Sequence, residues 1–229
     1  MREPSLPSIL AFDTSAAHCA AAVFARGALL HSRTEEMAKG QAERILTLSQ
    51  DILAQCGLEL NTLTAIAVGV GPGNFTGIRI SVSAARGLAL ALGIPAIPVS
   101  TFEVLRDPSD IQACQSELVI VGAPRGAAYA QPFSHGRPTA EPQMIDPTAP
   151  PDAFRTENLR VTGHMAADIA ALLGADAAPS EIRDPAGHIA RIAAWKIAQG
   201  HDTTVPPAPL YVRAADAAPP RDAPPRIIA

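Results

Sequence analysis

The sequence predicts an α/β fold with mixed sheets in two domains, and three observations carry that prediction. Residues 8–33 hold three short apolar runs separated by turn residues, the pattern of an antiparallel strand meander. From residue 41 the apolar spacing changes from alternation to the recurrence expected of a helix. Beyond it, short continuous apolar runs alternate with helical stretches, which places buried strands between helices.

The elements follow in order. Strands are expected over 8–13, 20–24 and 28–33, with Arg26-Gly27 as the turn between the last two. A helix is expected over 41–56, where Ala42, Ile45, Leu46, Ser49, Ile52, Leu53 and Cys56 share one face and Gly57 supplies the stop. Asn61 is expected to cap a short turn. Residues 65–70 read as a strand buried on both faces, broken by Gly71-Pro72-Gly73-Asn74. A second helix is expected over 75–92, ending at Gly93, then a strand over 94–99 and a short helix over 100–105. The polar stretch 107–116 marks a domain boundary, giving a first domain of 1–106, a smaller one of 107–215 and a disordered tail of 216–229. In the second domain a strand pair is expected over 117–121 and 127–133, then a proline-rich loop over 138–151. A strand over 159–162 leads through Gly163 into a helix ending near Leu173, and a last helix covers 186–199. From residue 205 the chain is proline-rich and expected to be extended, and no internal repeat is visible.

Composition narrows the function classes. Net charge is −4 and aromatics are 4% of the chain, so neither a basic stripe nor stacking aromatics support nucleic-acid binding by this chain alone. Cys19, Cys56 and Cys114 are odd in number and scattered, which fits neither a disulfide framework nor a zinc site. The six histidines include no pair at i, i+3 or i, i+4, so no metal site is expected. The proline-broken start does not resemble a signal peptide, no apolar run reaches the ~20 residues of a membrane span, and a cytoplasmic chain is expected.

The densest motif is 68–80, a strand running through glycines into a helix start. Gly71 and Gly73 allow backbone shapes closed to other residues, and Asn74 or Thr76 can cap the helix ahead of Gly77. A tight structural turn satisfies this pattern; so does an anion held on the helix N-terminus. It is neither a Walker loop nor a GxGxxG fingerprint. Asp13-Thr14-Ser15, after the first strand, reads either as turn chemistry or as the remnant of a nucleotide site, and Ser15 has no evident base. In the second helix Ile78, Val82, Ala85, Ala89 and Leu92 form one apolar stripe, and Ile80, Ala84, Gly87 and Ala91 form another. The second stripe either packs on the first helix of the same chain or docks a partner.

Taken in order, residues 9–15, 43–46, 69–79 with the alanine-rich helix to Leu88, and 209–213 resemble the TsaB family, strongly over 8–105 and weakly beyond. The resemblance implies an actin-like, sugar-kinase or Hsp70-type (ribonuclease H-like) fold of two related lobes. It implies a non-catalytic subunit of the tRNA N6-threonylcarbamoyladenosine machinery, pairing with TsaD through the N-terminal helices, joined by the ATPase TsaE and needing no cofactor. Glu43, Leu46, Ser49, Ile80, Ala84, Gly87 and Ala91 would form the docking surface, which a homodimer could also use, with tRNA contact indirect or weak. The paralogue TsaD carries a His-x-x-x-His metal motif after the glycine-rich helix; residues 98–105 here contain no histidine. Where the family has serine the chain has Asn74, where histidine is common it has Gln41, and its second domain opens on Gly122-Ala-Pro-Arg125 instead of an acidic stretch. The rival expectation is an independent nucleotide-dependent phosphotransferase or glycoprotease-like hydrolase.

Overall fold

The computed structural model describes residues 6–106, 114–178, 180 and 182–212. The chain opens as the expected meander: β1 (Ile9–Asp13), β2 (His18–Ala25) and β3 (Ala28–Glu36) are antiparallel, and Arg26 and Gly27, both at positive φ, turn the second hairpin. Helix α1 (Gln41–Gln55) crosses to β4 (Ala65–Gly69), which lies parallel to β1. Helix α2 (Phe75–Leu92) crosses to β5 (Ala96–Val99), parallel to β4, and the sheet order is β3-β2-β1-β4-β5. Asn74 caps α2 by accepting the Gly77 N–H at 2.9 Å, and Gly93 ends it at φ 67°. The short helix α3 (Thr101–Val104) carries a capping box between Ser100 and Glu103.

Alternation along β1 explains why all of it is buried. Leu10 and Phe12 join Ile45, Leu48, Ile52, Ile78 and Val82 under α1 and α2. Ile9 and Ala11 face the other way, with Ala20, Ala22, Ala65 and Ala67, and are covered by Ala186, Ile189, Ala190 and Ala193 of α5 (Pro185–Ala198). Small residues on both sides of that contact bring the helix close to the sheet. This accounts for part of the chain's alanine. It also alters the division expected at residue 107: α5, from the second half of the sequence, builds the core of the first lobe.

The second sheet repeats the plan. β6 (Ser116–Gly122) and β7 (Ala128–Ser134) are antiparallel, and β8 (Arg137–Pro138) and β9 (Gln143–Ile145) both pair with β7. β10 (Leu159–Gly163) lies parallel to β6, and β11 (Asp176–Ala178) parallel to β10 after helix α4 (Ala166–Leu173). The order β11-β10-β6-β7-β8 mirrors that of the first sheet, a duplication invisible in the sequence. The stretch expected as a loop over 138–151 thus contributes β9 and the end of β8. The extended segment 203–212 runs back along α2; Leu210 donates its N–H to the Val70 carbonyl and packs on the first lobe and on Phe102, Val119 and Phe133 at the lobe junction. The boundary stretch 107–113, Arg213 of the late motif and the tail 216–229 lie outside the described residues.

Two local expectations change. On α1, Leu48 is buried whereas Ala42 and Leu46 are exposed, so the sheet-facing stripe is rotated from the one expected. Asn61 lies inside a 3-10 turn capped at Glu59 and donates its amide to that glutamate, instead of capping the turn itself.

Candidate functional site

The turn after β1 and the loop after β4 fit into each other. Asn74 donates its N–H to the Ser15 carbonyl at 2.6 Å, and the Thr14 hydroxyl donates to the Gly77 carbonyl at 2.7 Å. A Cβ on Gly73 would overlap the Ser15 carbonyl, and one on Gly77 the Thr14 carbonyl. Gly71 stands at φ 87°, a left-handed backbone that glycine adopts without strain. Close packing of two turns therefore accounts for the glycines. The amides of Asn74 and Gly77 are already bonded inside the chain, to the Ser15 carbonyl and the Asn74 side chain, so neither is open to an anion while those bonds are in place. Thr76 is exposed and leaves the capping to Asn74.

Asp13 is committed in the same way. Its Oδ2 accepts from the Ser15 N–H at 3.2 Å and the Ser15 hydroxyl at 2.8 Å, and lies 2.7 Å from His18 Nε2. Its Oδ1 is buried against Gly69 and has no hydrogen-bond partner among the described residues. These groups border a cavity of about 300 Å³ that also meets Glu36, Thr101 and Arg183. Of the expected Asp13, Thr14 and Ser15, the first and last are thus assembled with His18, which sequence reasoning passed over, whereas Thr14 is buried with its hydroxyl on the Gly77 carbonyl. His18 heads β2 across the turn from Asp13, a relation visible only once that turn is recognised as a hairpin. Among the described residues no three His, Cys, Asp or Glu side chains are grouped to hold a metal ion. Burial pushes the Cys19 thiol up to about 11, with Glu35 adding to the shift, which suits an inert core thiol.

The second candidate is the face of α1 and α2. Ile80 and Ala84 are half-buried against the first-lobe core, and α1 lies alongside α2, so the chain covers part of the second stripe itself. Gly87 and Ala91 remain exposed, as do Thr76 and Ser83, and Leu90 is 86% exposed. On α1, Glu43 and Leu46 are exposed. Ser49 corrects the expected docking set: it is buried, and its hydroxyl bonds the Ile45 carbonyl. The only charges in α2 are Arg79 and Arg86. Arg79 lies 3.8 Å over the Phe75 ring and donates to the Tyr211 hydroxyl at 2.9 Å, tying the 203–212 segment to the helix. By length and mean hydropathy α2 alone among the described residues could cross a membrane, yet its core stripe is built into the first lobe.

Comparison with known proteins agrees with this architecture. The family described as TsaD: tRNA N6-adenosine threonylcarbamoyltransferase matches residues 31–148. The TsaB protein of Haemophilus influenzae is 40% identical over 113 residues, which are 49% of this chain and 47% of that protein. The Escherichia coli TsaB protein is 42% identical over 93 residues, 41% and 40% of the two chains. The chain thus spans about half the length of the curated TsaB relatives it matches. An uncharacterised Mycobacterium tuberculosis protein is 30% identical over 221 residues, 96% of this chain and 98% of its own. A crystal structure from Pseudomonas aeruginosa, described as similar to peptidase YeaZ, superposes with a TM-score of 0.71 at 26% identity, covering 90% of this chain and all of that one. The fold is shared more widely: component A of an Acidaminococcus fermentans 2-hydroxyglutaryl-CoA dehydratase gives a TM-score of 0.50 at 10% identity over 84% of this chain and 99% of that one. The duplicated mixed sheets are those of the two-lobed actin-like, sugar-kinase and Hsp70 class. YeaZ is TsaB, and with the interlocked glycine loop, these relatives and that fold, the chain belongs to the TsaB family.

Proposed function

We propose that this chain is a non-catalytic subunit in the formation of N6-threonylcarbamoyladenosine in tRNA, docking a TsaD-type transferase through α1 and α2 in the cytoplasm, with a TsaE-type ATPase joining the pair. The observation that carries the docking role is Gly87. It sits inside an 18-residue helix, exposed, and a Cβ there would meet nothing within 4 Å. Glycine inside a helix costs about 0.8–1.0 kcal/mol relative to alanine, and no contact within the chain requires it. A second helix approaching this face does, because only small residues let two helix backbones come close. Near it on the exposed side lie Ser83, Leu90 and Ala91, with the exposed Arg79 and Arg86 along one flank. The non-catalytic role is supported by residues 98–105, which carry no histidine where the transferase paralogue has its metal motif.

The test is Gly87→Arg. Its side chain points into open space in the free protein, so the thermal melt should hold or rise while the complex with the TsaD-type protein of the same organism is lost in size-exclusion chromatography. An intact complex would place the docking face elsewhere. Threonylcarbamoyl transfer to tRNA by this chain without the transferase would overturn the non-catalytic role.

A further inference from the structure

Phe75 and Tyr211, 48% and 45% exposed, are the only exposed aromatic side chains among the described residues, and the fold brings them together. One opens α2 and the other lies near the end of the described chain, yet their ring centroids are 5.4 Å apart with planes inclined by 30°. Arg79 fixes the pair from below, with its guanidinium over the Phe75 ring and its Nε–H donated to the Tyr211 hydroxyl. Both rings line a cleft of about 640 Å³ between the lobes, which the Gly73 turn closes on one side and Arg125 and Tyr129 of the second lobe close on the other. Both tyrosines of the chain therefore border one cleft. Its one charged lining residue is Arg125, exposed at the tip of the β6–β7 turn, and neither Asp nor Glu lines it. The cavity beside Asp13 differs, since Asp13 and Glu36 set carboxylates in its wall.

We infer that this cleft takes a base of unpaired RNA, stacked on the exposed surface of Phe75 and Tyr211, with the adjoining phosphate toward Arg125. The inference rests on the tRNA role proposed above and adds a direct contact made by this chain. Composition counts few aromatics against nucleic-acid binding, but a single stacking platform needs only a few if they are gathered. A planar ring and a negative charge in one ligand match the two things the cleft offers, an aromatic surface and a guanidinium. A duplex fits poorly, because its bases are already stacked on each other and do not reach an aromatic side chain. One platform and one cation make a weak site, in keeping with a chain of net charge −4. Arg79 is a positioning residue here, holding the two rings at the angle they have.

The test is fluorescence anisotropy of a short, labelled, unpaired RNA titrated with the full chain at several salt concentrations, with a duplex of the same sequence and AMP as competitors. Unpaired RNA should bind about tenfold more tightly than the duplex. Tyr211→Leu and Phe75→Leu should each raise Kd about tenfold. Tyr211→Phe keeps the ring and loses only the bond from Arg79, so it should bind within about threefold of the unsubstituted chain. Arg125→Gln should lower the slope of log Kd on log salt by about one. Thermal melts accompany each variant. Should the aromatic variants unfold, Arg125→Glu at the exposed turn carries the test, with an expected rise in Kd of about tenfold. The inference fails if the unsubstituted chain leaves the anisotropy unchanged, if the duplex binds as well as unpaired RNA, or if folded Tyr211→Leu and Arg125→Glu bind within about twofold of it. AMP binding more tightly than the RNA would make the occupant a free nucleotide and overturn the RNA contact. Threonylcarbamoyladenosine formation with the TsaD-type and TsaE-type proteins separates the two readings. Product formed at full rate without this chain removes the functional role itself, whereas product that needs the chain but is indifferent to these variants, with RNA binding unchanged, removes only the cleft.

Discussion

Trp195 is the only tryptophan, and His201 lies edge-on to it with ring centroids 5.2 Å apart. Neither Trp195 Nε1 nor His201 Nε2 has a hydrogen-bond partner among the described residues. Burial holds the His201 pKa below its ordinary 6.5, helped by the nearby charges of Lys196 and Arg137. The folded state therefore prefers the neutral ring, while the unfolded chain takes up a proton near pH 6.5. Stability from this group is complete above that pH and is lost as pH falls from it toward the lower folded value. Urea midpoints at pH 7.5 and 5.5 should accordingly differ more in the unsubstituted chain than in His201→Gln, and the Trp195 fluorescence should follow the same acid limb. Equal differences in the two proteins would remove His201 from the account. None of this was legible in the sequence, where His201 is one scattered histidine beyond the end of a helix. Asp13 was legible, because an acid at the end of a buried strand announces a turn; its bond to His18 was not.

Among the elements, α2 was read with the bounds it has, since an asparagine cap, a helical stripe and a terminal glycine all agree. Helix α1 was placed correctly but rotated, because Leu46 and Leu48 are equally apolar and only the packing decides which faces the sheet. β8, β9 and β11 were missed: each is two or three residues long and owes its strand geometry to a neighbour. β6 carries a buried charge cluster. Glu117 accepts from Arg106 Nε at 2.6 Å and from the Thr162 hydroxyl at 2.7 Å, with Arg160 at 3.3 Å, and Arg106 also stacks on Phe133. Glu117 and Arg106 are each 2% exposed. Glu117→Ala removes the carboxylate that Arg106 and Thr162 bond, while Arg106 keeps its bond to the Gly136 carbonyl, and should cost about 1.5–3 kcal/mol in urea unfolding. Adding Arg106→Met should recover part of that loss, and a double variant as unstable as the sum would show that the pair does not act as a unit.

Across the full architecture, the first lobe is discontinuous in the chain. Its sheet is completed within residues 9–99, but one face of that sheet is covered by α5 from Pro185 onward. A fragment of residues 1–106 would leave Ile9, Ala11, Ala67, Ile97 and Val99 in water. It should show no cooperative thermal transition and should bind a hydrophobic dye, whereas the full chain melts sharply. A cooperative melt in the fragment would show that α1 and α2 suffice as a core. The 203–212 segment adds a second tie, since Leu210 packs on the first lobe and on the lobe junction together.

Local physics accounts for what the amino-acid order could reveal: alternation placed the meander, helical recurrence placed α1 and α2, and glycines between a strand and a cap marked the interlocked loop. These signals act over a few residues and survive without the rest of the chain. Tertiary structure alone decided three matters. It sent α5 back to the first sheet, because an alanine-rich strand face and an alanine-rich helix face are complementary only in space. It matched two sheets of the same order whose sequences share no visible repeat, because strand order depends on long-range pairing. It also divided the two stripes of α2, burying one on the sheet and part of the other beside α1, and left Gly87, Leu90 and Arg86 facing outward. Exposure is a property of everything that packs around a residue, and no local pattern contains it.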